Sequence, residues 1–194
     1  MTATEDRRAQ ILRISTRLFS QKGYARTTLE DVATEIGFTK PAIYHWFDSK
    51  DQILFEIHRD IVAPALEEVR EIRASGGSPA DQLRRILAAH VERVLLNADA
   101  NTVFARESAQ LTTERAAQIG DLDRAYEREV RAVYAAGVAS GEFADVDPII
   151  AIGTLLSACS WVSQWFRPEG SLNATQVNTM IGSLLEQGYR GGNP

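Results

Sequence analysis

Cysteine is almost absent from this chain. Cys159 is the only one in 194 residues, which excludes an internal disulfide and predicts a reducing, cytoplasmic setting. Histidine is nearly as scarce. His45, His58 and His90 stand at no metal-ligand spacing, and no H-E-x-x-H occurs, so no metal site is expected. G-x-S-x-G, a Walker loop and G-x-G-x-x-G are also missing. Cys159 lies among apolar residues, where a buried and inert thiol is expected. These absences leave no catalytic residue and no cofactor to name, and an enzyme is not expected. Strand-like alternation is lacking, as are internal repeats and low-complexity tracts. The first eight residues are polar, with Glu5, Asp6, Arg7 and Arg8, and hold no apolar signal segment. Only one long uncharged run exists, the 19 residues Pro148 to Phe166. Its length just matches a bilayer. Gly153, Thr154, three serines and Gln164 within it predict a buried packing helix instead.

What is present is an ordinary globular balance, 44% hydrophobic and 24% charged, enough for a sizeable core. The formal net charge is −5, but it is unevenly spread. Residues 1–50 hold eight Lys/Arg and six Asp/Glu, whereas residues 51–194 hold thirteen and twenty. The basic charge thus collects at the front of an acidic body.

Start signals for helices recur along the chain. Thr27 with Glu30 reads as a capping box, and Ser49 with Gln52 as another. Ser78-Pro79-Ala80-Asp81, Asp147-Pro148 and Asn173 with Gln176 repeat the pattern. In each, a side-chain oxygen can accept from an orphan backbone N–H, and proline loses nothing at the first position. The predicted fold class is all-α, with nine helices at roughly 5–22, 29–36, 40–46, 50–73, 79–98, 101–110, 113–140, 148–166 and 173–189. Gly141 is read as the end of the seventh helix. Pro64 predicts a kink inside the fourth. The tail Gly191 to Pro194 reads as disordered.

The informative stretch runs from Ile11 to Phe47. Ile11-Leu12 and Leu18-Phe19 form one apolar stripe around the small Ser15. Leu29, Val32, Ala33 and Ile36 follow at helical spacing. Gly37-Phe38-Thr39 then interrupts, before Lys40 to Phe47. Two short helices joined by a tight turn with glycine make a helix-turn-helix. Gly37 suits a left-handed turn backbone, and Thr39 can cap the second helix.

With Gly23-Tyr24, Thr27-Thr28-Leu29, Ile43-Tyr44 and Ser49-Lys50 added, about forty residues resemble the TetR family of regulators without a gap. Two positions depart from its pattern. Trp46 stands where histidine is usual, with His45 one position earlier, and Pro41 stands where a small residue is usual. The resemblance implies that helix 40–46 lies in the major groove. Lys40, Pro41 and Ala42 would meet base edges, the apolar pair against a thymine methyl. Thr28, Thr39, Tyr44, His45 and Lys50 would bind phosphates, two of them at helix N-termini. Residues 1–49 are expected to be the DNA-binding domain and residues 50–194 the ligand-binding and dimerisation domain.

In the body, helix 148–166 is apolar around most of its girth, and 173–189 carries Val177, Ile181, Leu184 and Leu185 on one stripe. Such a pair suits a four-helix interface with a second copy, and the resemblance implies the same homodimer. Completion of the monomer core is the alternative. A dimer would read a palindromic double-stranded operator, and a small hydrophobic effector would release it by changing the spacing of the two heads, with helix 50–73 as lever. Phe104, Leu111, Tyr126, Tyr134, Trp161 and Trp165 are candidates for a ligand pocket, or plain core. Arg106, Arg124, Arg128 and Arg167 are candidates to meet an anionic ligand, or solvated arginines. Trp161 to Pro168 resembles a TetR branch controlling fatty-acid and sterol breakdown, whose members commonly sense acyl-CoA thioesters. A repressor sensing multiple drugs or aromatic compounds, and a DNA-binding protein without effector, are the alternatives.

Overall fold

A computed structural model describes residues 3–190; the tail read as disordered, Gly191 to Pro194, lies outside them. Among the described residues the chain is all-α. Its helices are α1 (Ala3–Lys22), α2 (Leu29–Ile36), α3 (Lys40–Tyr44), α4 (Lys50–Ala74), α5 (Pro79–Leu96), α6 (Ala98–Glu107), α7 (Thr113–Ser140), α8 (Pro148–Ser160), α9 (Val162–Trp165) and α10 (Ala174–Tyr189), with a 3-10 turn at Ser108–Gln110 after α6. The nine-helix architecture holds with one refinement. The helix expected at 148–166 is divided at Trp161, where the Ser163 hydroxyl donates to the Ser160 carbonyl at 3.0 Å. Such local side-chain bonds compete with a helix ladder. None of the described helices is long and apolar enough to cross a membrane.

The start signals act where they were read, with one correction. Ser78 accepts from the Asp81 N–H, Asp147 from the Ile149 N–H, and Asn173 and Gln176 close a full capping box. Ser49 accepts from the Gln52 N–H, while the Gln52 side chain accepts from Asp48. The α2 box, however, belongs to Thr28 and Asp31 rather than Thr27 and Glu30. Thr27 is fully buried, and its hydroxyl donates to the Gly23 carbonyl at 2.9 Å. The tertiary fold, not the hydroxyl's chemistry, chose between adjacent threonines. Gly141 ends α7 in the left-handed region, and α4 runs through Pro64 without a break.

The chain divides into two compact units. One comprises residues 1–61 with 98–121, and the other residues 62–97 with 122–194. This line differs from a boundary at residue 49, because α4 and α7 each begin in the first unit and run on into the second. The first unit has a core of Ile11, Leu18, Phe19, Val32, Ile43, Phe47 and Ile53, to which α6 adds Ala100 and Val103. In the second, α5 packs against α8, α9 and α10. Its core includes Leu83, Ile86, Leu87, Val130, Tyr134, Ile152 and Cys159. Phe143 lies against Gly137, where a β-carbon would come within 2.0 Å of the ring. Only glycine leaves that space.

Candidate nucleic-acid interface

α2 and α3 are held at a fixed turn by backbone geometry. Gly37 adopts φ 78° and ψ 27°, in the left-handed region. Its neighbour Phe38 donates a hydrogen bond to the Ala33 carbonyl at 2.8 Å, closing α2. Thr39 then begins α3 in extended conformation, with Pro41 in the first turn. Contrary to expectation, the Thr39 side chain makes no capping bond; Pro41, at the second helical position, has no N–H to give it.

α3 is two-faced. Ile43 is fully buried and Phe47 just beyond it is 1% exposed. By contrast Tyr44 is 47% exposed, and Thr39, Lys40, Pro41 and His45 are exposed too. Ala42 is half-buried. Trp46 is half-buried against the core of this unit and meets His45 edge to face at 5.2 Å. Tyr44 thus lies on the surface and not in the core. Thr28 is exposed at the start of α2, where its backbone N–H and its hydroxyl both donate to Asp31 at 2.8 Å. Those bonds hold the Asp31 carboxyl below its usual range.

Lys50 differs from the other predicted phosphate ligands. It is half-buried, and its ammonium donates to the carbonyls of Tyr24 at 2.7 Å and Thr27 at 2.9 Å. The Tyr24 ring centroid lies 4.1 Å away. Burial lowers the pKa of this ammonium, with Glu107 opposing the shift. Beside it, Asp51 accepts from the Thr112 backbone N–H at 3.0 Å and pairs with Arg115. Arg115 also donates to the Ser49 hydroxyl at 3.1 Å. These groups line a polar cavity of about 610 Å³ within the first unit. Further along α4, the buried Glu56 pairs with Arg8 of α1 and with Arg59. None of these long-range partners was anticipated from the sequence.

The six candidate pocket residues are divided between the two units. Phe104 stacks on His58 in the first unit, with ring centroids 3.3 Å apart, and Leu111 packs on that unit's core. Tyr126 and Tyr134 are buried in the second unit. Trp161 and Trp165 are 66% and 51% exposed. Aromatic type reports a need for apolar contact, not which contact it finds. Tyr134 lines a cavity of about 290 Å³ between α8 and α10 with Ile150, Thr154, Leu184 and Gly188. Of the arginine candidates, Arg167 bonds only to nearby carbonyls of its own segment.

A second cluster was likewise not foreseen. His90 shares hydrogen bonds of 3.0 Å with the Tyr126 hydroxyl and with the Ser160 hydroxyl. Burial, with Arg93 nearby, pushes His90 down to about 4. Arg93 is itself paired with Glu68.

α8 and α10 are not fully covered. Ile149 and Ile150 on one, Trp161 just past its end, and Met180 and Leu184 on the other are exposed, Leu184 to 69%. Gly153, Gly182 and Gly188 face open space.

Comparison with known proteins agrees with this architecture. The profile of bacterial regulatory proteins of the tetR family matches residues 11–57, and that of the tetracyclin repressor-like C-terminal domain matches residues 76–189. The transcriptional repressor KstR2 of Rhodococcus jostii is 30% identical, over 94% of this chain and 90% of its own length. A TetR/AcrR-family regulator from Thermobifida fusca is 45% identical, with a TM-score of 0.76 over 95% of this chain and 99% of its own. AibR, crystallised with isovaleryl coenzyme A and operator DNA, is 26% identical, with a TM-score of 0.81 over 93% and 98%. The helix-turn-helix, the helical body behind it and these likenesses agree: the chain belongs to the TetR family of bacterial regulatory proteins.

Proposed function

We propose that this chain is a transcriptional repressor that binds a palindromic operator as a dimer and is released by a small hydrophobic effector, a coenzyme A thioester. The observation that carries the DNA-binding reading is the two-faced α3. Ile43 and Phe47 anchor it, while Lys40, Tyr44 and His45 are exposed. In this reading Lys40, Pro41 and Ala42 meet base edges, the apolar pair against a thymine methyl. Thr28, Thr39, Tyr44 and His45 hold phosphates, and these fix register without specifying sequence.

One α3 reads only a few base pairs, so a second copy is needed for a palindrome. The exposed apolar stripe of Ile150, Trp161, Met180 and Leu184 supports pairing through α8 and α10, with glycines that permit close approach. The effector class rests on the likeness to AibR and its bound isovaleryl coenzyme A. Its release of DNA would follow from a preference for one of two head spacings.

Selection of duplexes from a random-sequence library tests this directly. The expected result is enrichment of one two-fold-symmetric site, lost again when a short-chain acyl coenzyme A is added. Enrichment of no sequence would refute the DNA-binding reading. Binding that every acyl coenzyme A leaves intact would refute the effector class alone.

A further inference from the structure

The helix-turn-helix reading places Lys50 among the phosphate ligands, but its surroundings give it other work. A lysine ammonium has three donors and no acceptor. Here all three find backbone carbonyls of one loop, at 2.7 Å from Tyr24, 2.9 Å from Thr27 and 3.5 Å from Ala25. The charge also sits over the face of the Tyr24 ring. The loop it gathers is the connection between α1 and α2. That loop turns at Gly23, with φ 85°, and continues through the fully buried Thr27 to Thr28, the cap of α2.

Resting on the DNA-binding reading, we propose that Lys50 is a positioning residue. It fixes the α1–α2 loop, and with it the N-terminus of α2 and the Thr28 phosphate site, without touching DNA itself. The geometry favours this over a phosphate contact for a simple reason. To reach a phosphate the ammonium must leave the Tyr24 and Thr27 carbonyls, both of which belong to buried residues. Vacated acceptors that water does not replace are costly. Burial already lowers the ammonium's pKa in the free protein, as expected of a group held inside its own loop. The adjoining Asp51 is similarly committed, to Thr112 and Arg115. The first turn of α4 is therefore a junction that holds two other segments of the same unit.

The test compares wild-type protein, Lys50→Met and Lys50→Arg on a duplex selected by the wild type, across a series of potassium chloride concentrations. Both variants are expected to weaken binding about tenfold at every concentration, to keep the wild-type slope of log affinity against log salt, and to melt earlier. A planar guanidinium cannot reproduce three converging ammonium donors, so arginine fails to rescue. A slope reduced by about one in Lys50→Met, with full rescue by arginine and unchanged melting, would overturn the proposal. Nitrogen-15 spectra of the lysine ammonium groups in wild-type protein decide the matter if a variant does not fold. Protected Lys50 protons that stay unshifted on adding the duplex are expected. Protons that exchange freely without DNA, or that gain phosphorus coupling with it, would overturn the assignment. The free-protein spectrum reports the clamp alone, so it stands or falls separately from DNA binding.

Discussion

Two exposed surfaces of this chain make a useful contrast. The outer face of α3 is polar, with Lys40, Tyr44 and His45 standing over a buried Ile43. The outer faces of α8 and α10 are apolar, with Ile150, Trp161, Met180 and Leu184 exposed above an equally buried Ile152. Both helical elements bury one stripe, yet what they offer to solvent differs in kind. Hydrogen-bond donors, a cation and an aromatic hydroxyl suit a phosphate backbone and base edges. Isoleucine, leucine, methionine and tryptophan beside open glycines suit a protein surface. In this reading the two faces depend on each other, since the apolar one duplicates the polar one.

The largest expected effect comes from breaking that dependence. Leu184→Glu alters a side chain that is 69% exposed, so the fold of the single chain should survive. Pairing should not, because two carboxylates would meet across a two-fold axis. Sedimentation should give half the wild-type mass, and affinity for a palindromic duplex should fall roughly 100-fold as the gain from two linked heads is lost. Retained dimer mass would move the interface elsewhere.

A second pair sets the two sides of α3 against each other. Ile43→Ala opens a cavity in a fully buried site and should cost about 2–5 kcal/mol in thermal or denaturant unfolding. Lys40→Ala, at an exposed position, should leave stability within about 0.5 kcal/mol. It should relax base preference at one position of each half-site by about 1–3 kcal/mol. Equal effects of the two substitutions on stability would contradict the two-faced description.

A pH-dependent effect lies in the interior of the second unit. His90 is pushed from 6.5 down to about 4 by burial and by Arg93. Its neutral form is favoured in the folded state, so between those values the unfolded chain binds more protons. The contribution is therefore complete above pH 6.5 and is lost as pH falls toward 4, on the order of 3 kcal/mol in all. Melting curves of wild-type and His90→Asn proteins across this range should converge toward pH 4. Curves that stay parallel would show that His90 does not titrate differently on folding.

Legibility in the sequence followed distance along the chain. The turn at Gly37, the position where α3 begins and the stripe of Leu29, Val32, Ala33 and Ile36 are set by neighbours a few residues apart, and the structure has them there. The α2 cap shows the limit. Thr27 with Glu30 and Thr28 with Asp31 are equally good local pairs, and only the burial of Thr27 against Gly23 separates them. The pair Asp51 and Arg115 is 64 residues apart, and no local pattern announces it. Lys50 was found by position, but its clamp depends on how the loop 24–27 folds back. The surroundings of the aromatic residues were least legible. Apolar aromatics satisfy a core, a stacking partner or a protein surface alike, and here Tyr134, Phe104 and Trp161 illustrate one each.

The central claim is that α3 is one half of a two-fold reader of DNA. The most direct measurement is the mass of the complex that wild-type protein forms on a duplex it has itself selected, read together with the base sequence protected. The account predicts an even number of chains on a palindrome whose half-sites lie about one helical turn apart, 34–36 Å between successive major grooves. A single chain bound to an asymmetric site, or protection that does not depend on sequence, would contradict it.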